Sequence, residues 1–291
     1  MRRTWPIALL VVVALVAAAC SSTDDTTTTT VEAMSCAVED LELITSGTLT
    51  VATGEPAFPP WVSGADGENF DDPASKTGFE AALVYEIAGE LGFSDDQVVW
   101  VRTGFDEAVA VGPKSFDFNI QQYSITDTRD EVVDFSDPYY TSPQAVIGLP
   151  GSSVIGATTM EDLQGAKLGA EIGSTSLDFI EDVIQPTQQA AVYDSTVDAK
   201  SALEAGQLDG IVTDLPTAYY IASVEIEGAV IAVQFGASAA DPDQFGILFA
   251  DGNSLVDCVN EALGTLRDAG TLTALEEEWL AQAGGIVTIV P

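Results

Sequence analysis

The sequence predicts an α/β protein of two domains, and two observations carry that reading. Beyond residue 46, short β-branched runs alternate with helical stretches, the pattern of parallel strands joined by crossover helices. The pattern runs for about 240 residues, more than one hydrophobic core usually serves.

Taken in order, GTLTVAT (47–53) reads as the first strand. Phe79 to Leu91 carries apolar residues at helical spacing (Ala82, Val84, Ile87, Ala88, Leu91), with Gly92 placed to end the helix. QVVWVR (97–102) and FDFNIQQ (116–122) read as strands around a short helical connection, 105–111. QAVIGLP begins a new unit at Gln144. Thr159 and Asp162 in the next segment resemble a capping box, followed by the strand KLGAEI, a helix from Thr175 and the strand AAVYD. A helix around Val197–Ala205, the strand LDGIVTD, a helix over Leu215–Ala222 and the strand AVIAVQF complete that unit. The single strand QFGILFA (244–250) and two helices close the chain.

Composition excludes much chemistry. The chain has no histidine, so it holds neither a Ser-His-Asp triad nor a histidine metal ligand. Its three cysteines are too few for an anchor and a thiolate zinc site together. GPKS (112–115) lacks the upstream glycine of a phosphate-binding loop. No cofactor and no metal are expected. A formal charge of −37 argues against nucleic acid and anionic lipid surfaces, whose phosphates need clustered cations. The acidity fits either a salty medium or attraction of cationic solutes.

Two arginines, an apolar run from Ile7 to Ala19 and then Cys20 have the layout of a secretory signal peptide over 1–19. LVAAAC resembles a lipobox, which would make Cys20 an acylated N-terminus; plain cleavage without a lipid is the alternative. Residues 20–35, rich in threonine, read as a flexible tether. Acyl chains contribute about 0.8 kcal/mol per buried methylene, so they can hold a protein at a membrane without a transmembrane helix. With Cys20 assigned to the anchor, Cys36 and Cys258 suggest one disulfide in an exported protein. Closing so long a loop stabilises by roughly 4–5 kcal/mol in the chain-entropy model.

The richest stretch is DFNIQQYSITDTRDEVVDFSDPYY, 117–140. It sets Ser124, Thr126 and Arg129 together just after a predicted strand. Beyond residue 20 the only arginines are Arg102, Arg129 and Arg267. A guanidinium fork beside hydroxyls is a suitable carboxylate receptor; pairing with Asp127 or Asp130 is the bland alternative. The run SITDTR followed by VVDFSDPYY resembles the family 3 extracellular solute-binding proteins, the amino-acid receptors of bacterial ABC importers. LTVAT with a Phe-Pro-Pro-Trp segment, GFE, GAEIGSTS, LDGIVTD and VNEALGTLRDAGTLTALEEEWL recur in the family's order, so the likeness spans Gly47 to about Leu280.

The resemblance implies a periplasmic-binding-protein-like fold of two α/β lobes joined by a two-segment hinge. Lobe one would be 36–143 and 238–291, and lobe two 144–237. It implies that Arg129 clamps a ligand α-carboxylate with Ser124, and that Ser174 and Thr175 offer helix amides to it from the opposite lobe. Asp214 would accept the ammonium, with an N-cap as the structural alternative. Phe58 and Phe105 would sandwich the side chain; Trp61 is divided evenly between wall and core. Glu55 lies near a position that contacts a ligand's distal group in relatives. Gln121 and Gln122 stand where relatives have small residues, and Tyr123 where they have an aliphatic one, so side-chain preference does not transfer.

The implied function is capture of a polar amino acid and its delivery to permease subunits, by a monomer outside the cytoplasm held by lipid on Cys20. A dehydratase on the same scaffold, with Glu55 or Glu171 as proton donor, is the rival. A sensory ligand-binding lobe is a third reading, set back by the expectation that no signalling domain follows Pro291.

Overall fold

The computed structural model describes residues 35–64, 68–236, 241–280 and 286–289. The expected signal peptide, Cys20 and the tether up to residue 34 lie outside the described residues.

Hydrophobic runs at strand length produce the first sheet. It contains β1 (Leu49–Thr53), β2 (Val98–Arg102), β3 (Phe118–Asn119) and β4 (Val133–Phe135), interleaved with α1 (Phe79–Glu90), α2 (Phe105–Val109) and α3 (Asp127–Asp130). The chain then crosses through β5 (Tyr140–Ser142) into a second series. That series is β6 (Gln144–Gly148), α4 (Met160–Gln164), β7 (Leu168–Glu171), α5 (Thr175–Asp178), β8 (Ala191–Tyr193), α6 (Thr196–Glu204), β9 (Gly210–Asp214), α7 (Leu215–Tyr220) and β10 (Val230–Phe235). It returns through β11 (Asp243–Phe245) to β12 (Leu248–Ala250), α8 (Leu255–Ala269) and α9 (Thr271–Trp279), and ends with β13 (Thr288–Ile289).

The first sheet has the order β2-β1-β3-β12-β4 and the second β13-β10-β6-β9-β7-β8. In the first, β1 runs parallel to β2 and β3, and in the second β7 runs parallel to β8 and β9. β1 and β9 are buried along their whole length, as central strands covered on both faces must be. Each lobe has its own apolar core, one around Phe79, Phe118 and Phe249, the other around Val146, Ile180 and Val233. The crossing strands β5 and β11 pair antiparallel, Tyr140 with Phe245 and Ser142 with Asp243.

Three local outcomes differ from the sequence reading. The single strand expected over 244–250 is two strands, because the chain changes partners at Gly246. Its N–H donates to the Tyr123 carbonyl at 2.9 Å, and a Cβ there would sit 2.8 Å from Ile125. β13 pairs with β10, Phe235 opposite Ile289, and Ile289 is fully buried in the second core. The boundary that gave all of 238–291 to lobe one is therefore corrected: 288–289 belong to the second sheet. The helix from Thr175 widens after Asp178, where the Gln185 N–H reaches the Ile180 carbonyl five residues back.

Cys36 and Cys258 are bonded, their Cα atoms 5.5 Å apart. The bond fastens the segment before β1 to α8. Among the described residues no helix is long and apolar enough to cross a membrane, and no cluster of potential metal ligands occurs.

Candidate functional site

Parallel strands deliver their carboxyl ends to one edge, and here the two sheets turn those edges toward each other. Thr53, Thr103 and Gln121 end or follow β1, β2 and β3; Glu171, Asp194 and Asp214 end or follow β7, β8 and β9. All six line one cavity of about 280 Å³. This is where open α/β sheets place ligands, and the volume is at the small end for ligand pockets. The cavity wall also brings together Glu55, Phe58, Trp61, Phe105, Gln122, Ser124, Arg129, Ser174, Thr175 and Asp214.

Arg129 sits in α3, capped by the Thr126 hydroxyl, which accepts the Arg129 N–H. Its side chain is buried at 8 % exposure, and burial lowers the guanidinium's pKa from its ordinary value. One Nη donates to the Ser124 carbonyl at 2.6 Å and the other to the Gly173 carbonyl, across the lobes, at 2.9 Å. Neither Asp127 nor Asp130 pairs with it, since no ion pair among the described residues includes Arg129. The guanidinium lies 5.2 Å from the Phe105 ring centre, and Phe105 in turn stacks on Tyr123 at 4.6 Å. Five donors on the fork exceed the two carbonyls it meets, which leaves it N–H groups for an anion.

The opposite lobe presents two helix starts. Ser174 caps α5 by accepting the Leu177 N–H at 3.2 Å, and the Thr175 hydroxyl meets the Ser124 hydroxyl at 3.1 Å. Gly173 has φ +70°, and a Cβ there would lie 2.5 Å from an Asp106 carboxylate oxygen. The lobes close this tightly only over glycine. Asp214 caps α7 through Oδ1, which accepts the Thr217 N–H at 2.9 Å. The N-cap alternative is thus realised, and one carboxylate oxygen does that work. Asp214 is buried, and burial pushes its pKa up to about 6.

The aromatic candidates divide. Trp61 is 1 % exposed and meets Phe79, Tyr140 and Phe245 edge-on at 5.6–5.9 Å, so its body is core. Its Nε1 nevertheless donates to Thr217 Oγ1 of the other lobe at 2.8 Å. Phe58 is half-buried. Glu55 is exposed at the rim. The loop carrying both is held by Asp71, which accepts the Ala57 N–H at 2.8 Å and pairs with Arg102 at 2.9 Å.

Besides the exposed Asp194, three charged residues at or behind this wall escaped the sequence reading. Glu80 is fully buried, and its carboxylate accepts the Gln122 backbone N–H at 2.8 Å, the Gln122 side-chain amide and the Tyr139 hydroxyl. Burial raises its pKa to about 7 against those donors. Gln122 itself stands at φ +48°, a conformation held by the two bonds to Glu80. Lys200 of α6 and Glu225 line the cavity and form an ion pair at 2.6 Å. The available signal was scarcity: Lys200 is one of only four lysines in the chain. Glu171, offered earlier as a proton donor, accepts the N–H and hydroxyl of Thr196 at 3.0 and 2.7 Å. Burial raises its pKa.

The family model for bacterial extracellular solute-binding proteins, family 3, matches residues 49–282. The chain belongs to that family. It is 30 % identical over 237 residues to the L-cystine-binding protein TcyJ of Escherichia coli strain K12, covering 80 % of this chain and 82 % of that one. It is 32 % identical over 178 residues to a probable histidine-binding protein of Campylobacter jejuni, covering 61 % of this chain and 64 % of that relative. A solved ancestral arginine-binding protein bound to glutamine superposes with TM-score 0.66 at 30 % identity, covering 82 % of this chain and all of that one. The two-lobe binding-protein fold is the fold of this chain.

Proposed function

We propose that the chain captures a polar amino acid between its lobes outside the cytoplasm and presents it to the permease of an ABC importer. One observation carries the reading. A buried arginine in no ion pair among the described residues, and a buried aspartate whose Oδ1 caps α7 while Oδ2 meets only the Thr213 hydroxyl at 3.4 Å, stand on opposite lobes of one small cavity. Free amino acids carry the complementary charges. Arg129 takes the α-carboxylate with Ser124 and Thr175, and Asp214 takes the ammonium. Because each lobe holds part of the set, the closed state gains contacts that the open state lacks, and that difference drives hinge closure.

The relatives' cystine, histidine, arginine and glutamine ligands support the class of ligand rather than its identity. Micromolar affinity corresponds to about −8 kcal/mol, within reach of two charge-assisted contacts and apolar packing after ordering costs. Nothing is altered chemically: Thr196 fixes Glu171 through its Oε2 and Glu55 lies at the exposed rim, which disfavours the dehydratase reading. Acylation of Cys20 would keep the receptor at the membrane; mass spectrometry of the mature N-terminus separates this from plain cleavage.

Isothermal calorimetry against the twenty amino acids tests the reading. At least one should bind, and Arg129→Ala should weaken it about thirtyfold or more while circular dichroism stays unchanged. Losing one partner of a buried charged contact costs about 2–5 kcal/mol. Unchanged affinity in Arg129→Ala would overturn the assignment.

A further inference from the structure

Three charged residues lining the cavity are buried: Arg129, Asp214 and Lys200. In the receptor reading the first two serve the ligand's own carboxylate and ammonium. Lys200 is then left over, and its surroundings give it a task. It projects from α6 in lobe two, yet its ammonium lies 4.7 Å from the ring centre of Phe58 in lobe one. Its other contact is Glu225 Oε1 at 2.6 Å, and the two side chains are 11 % and 19 % exposed. An aromatic ring with a carboxylate close by is the chemistry that receives a cation. Here the protein's own lysine fills it.

We propose that Lys200 is the specificity-determining residue of the cavity, turning away amino acids with cationic side chains and favouring those whose side chain ends in an oxygen acceptor. The inference rests on the amino-acid-receptor reading and deepens it. A guanidinium or ammonium beside Phe58 would meet a second positive charge. Like charges repel more strongly in a partly desolvated cavity than in water, and Glu225 offsets only part of that repulsion. A side-chain amide or carboxylate meets a donor instead, since an ammonium has three N–H groups and Glu225 takes one.

The cavity's other acids do not reverse this. Glu55 and Asp194 are exposed, where water and salt weaken their pull. Glu171 takes two bonds from Thr196 on its Oε2, and Glu225 pairs with Lys200 itself.

The test is calorimetry of the full mature chain with L-glutamine, L-glutamate, L-arginine and L-lysine, on the wild type, Lys200→Met and Glu225→Gln. The wild type should bind glutamine or glutamate at least tenfold more tightly than arginine or lysine. Lys200→Met leaves Glu225 and the Phe58 ring free to accept a cation, so that ratio should fall at least tenfold. Glu225→Gln leaves Lys200 without its counter-charge and should raise the preference for glutamate over glutamine. Should Lys200→Met not fold, the wild-type ratio and Glu225→Gln still decide. Arginine binding the wild type as tightly as glutamine, or a ratio unmoved by both substitutions, would overturn the proposal. An absence of heat with every amino acid would instead remove the receptor reading on which it rests.

Discussion

The two lobes face the same cavity but hold their contributions in different ways. Apart from Arg129, which the Thr126 cap of α3 sets locally, lobe one fixes its groups through long-range bonds. Arg102 and Asp71 hold the 54–61 loop, Glu80 holds Gln122, and the Cys36–Cys258 bond fastens the segment before β1 to α8 across 222 residues. Lobe two presents its groups from the first turns of short helices. Ser174, Ser195 and Asp214 each accept an N–H three residues ahead, so each position is set locally. One side carries a frame stiffened from a distance; the other carries caps whose oxygens do double service. A binding protein needs both, since a rigid half defines the geometry and a locally capped half can move as a body without losing it.

That contrast can be broken most severely at the disulfide. Reduction of Cys36–Cys258 should lower global stability by about 4–5 kcal/mol, the loop-closure entropy of a bridge this long. Urea denaturation with and without reductant measures it. If the loss stays below 1 kcal/mol, lobe one is not braced from a distance.

Next in size is the Glu80 network. A carboxyl whose folded pKa is raised from 4.5 to about 7 keeps its proton when folded at pH values where the unfolded chain has lost it. The folded state then binds more protons, so stability falls as pH rises from 4.5 to 7 and levels off above. The shift corresponds to about 3 kcal/mol. Asp214, raised from 3.8 to about 6, adds a slope of the same sign slightly lower. Glu80→Gln should remove the larger part of the slope in urea titrations between pH 4.5 and 8. Identical slopes in variant and wild type would locate the effect elsewhere.

The smallest change sharpens the other side. Asn caps helices as well as Asp and carries no buried charge, so Asp214→Asn should leave stability unchanged at low pH and raise it at neutral pH. It should still weaken amino acids at least tenfold relative to carboxylates that lack the amine. Thermal melts and calorimetry on the same sample read both. Equal losses for the two ligand classes would leave Asp214 as a cap alone.

Much of this was legible before any coordinates. Strand and helical patterning located most elements of both lobes, because a buried face repeats with the backbone's own geometry, but missed the short α3, β4, β5 and β13. The failures occurred where the chain's partner, rather than its local preference, sets the outcome. QFGILFA satisfies strand propensity throughout, yet Gly246 is pressed against Ile125 and the strand is divided between hinge and sheet. Thr288–Ile289 is too short to register as a strand until β10 offers an edge.

The site divides along the same line. Sequence alone determined that histidine chemistry is absent, that cations are scarce, that Arg129 follows a strand and that Ser174 and Asp214 stand at strand-to-helix junctions, because composition and local order are complete in the string of residues. Tertiary structure alone decided that Glu80 grips Gln122 from 42 residues away, that Trp61 reaches Thr217 and that Lys200 meets Phe58 from the opposite lobe. Those are contacts between surfaces that only folding brings together, and burial there, not residue type, sets the strength of each charge.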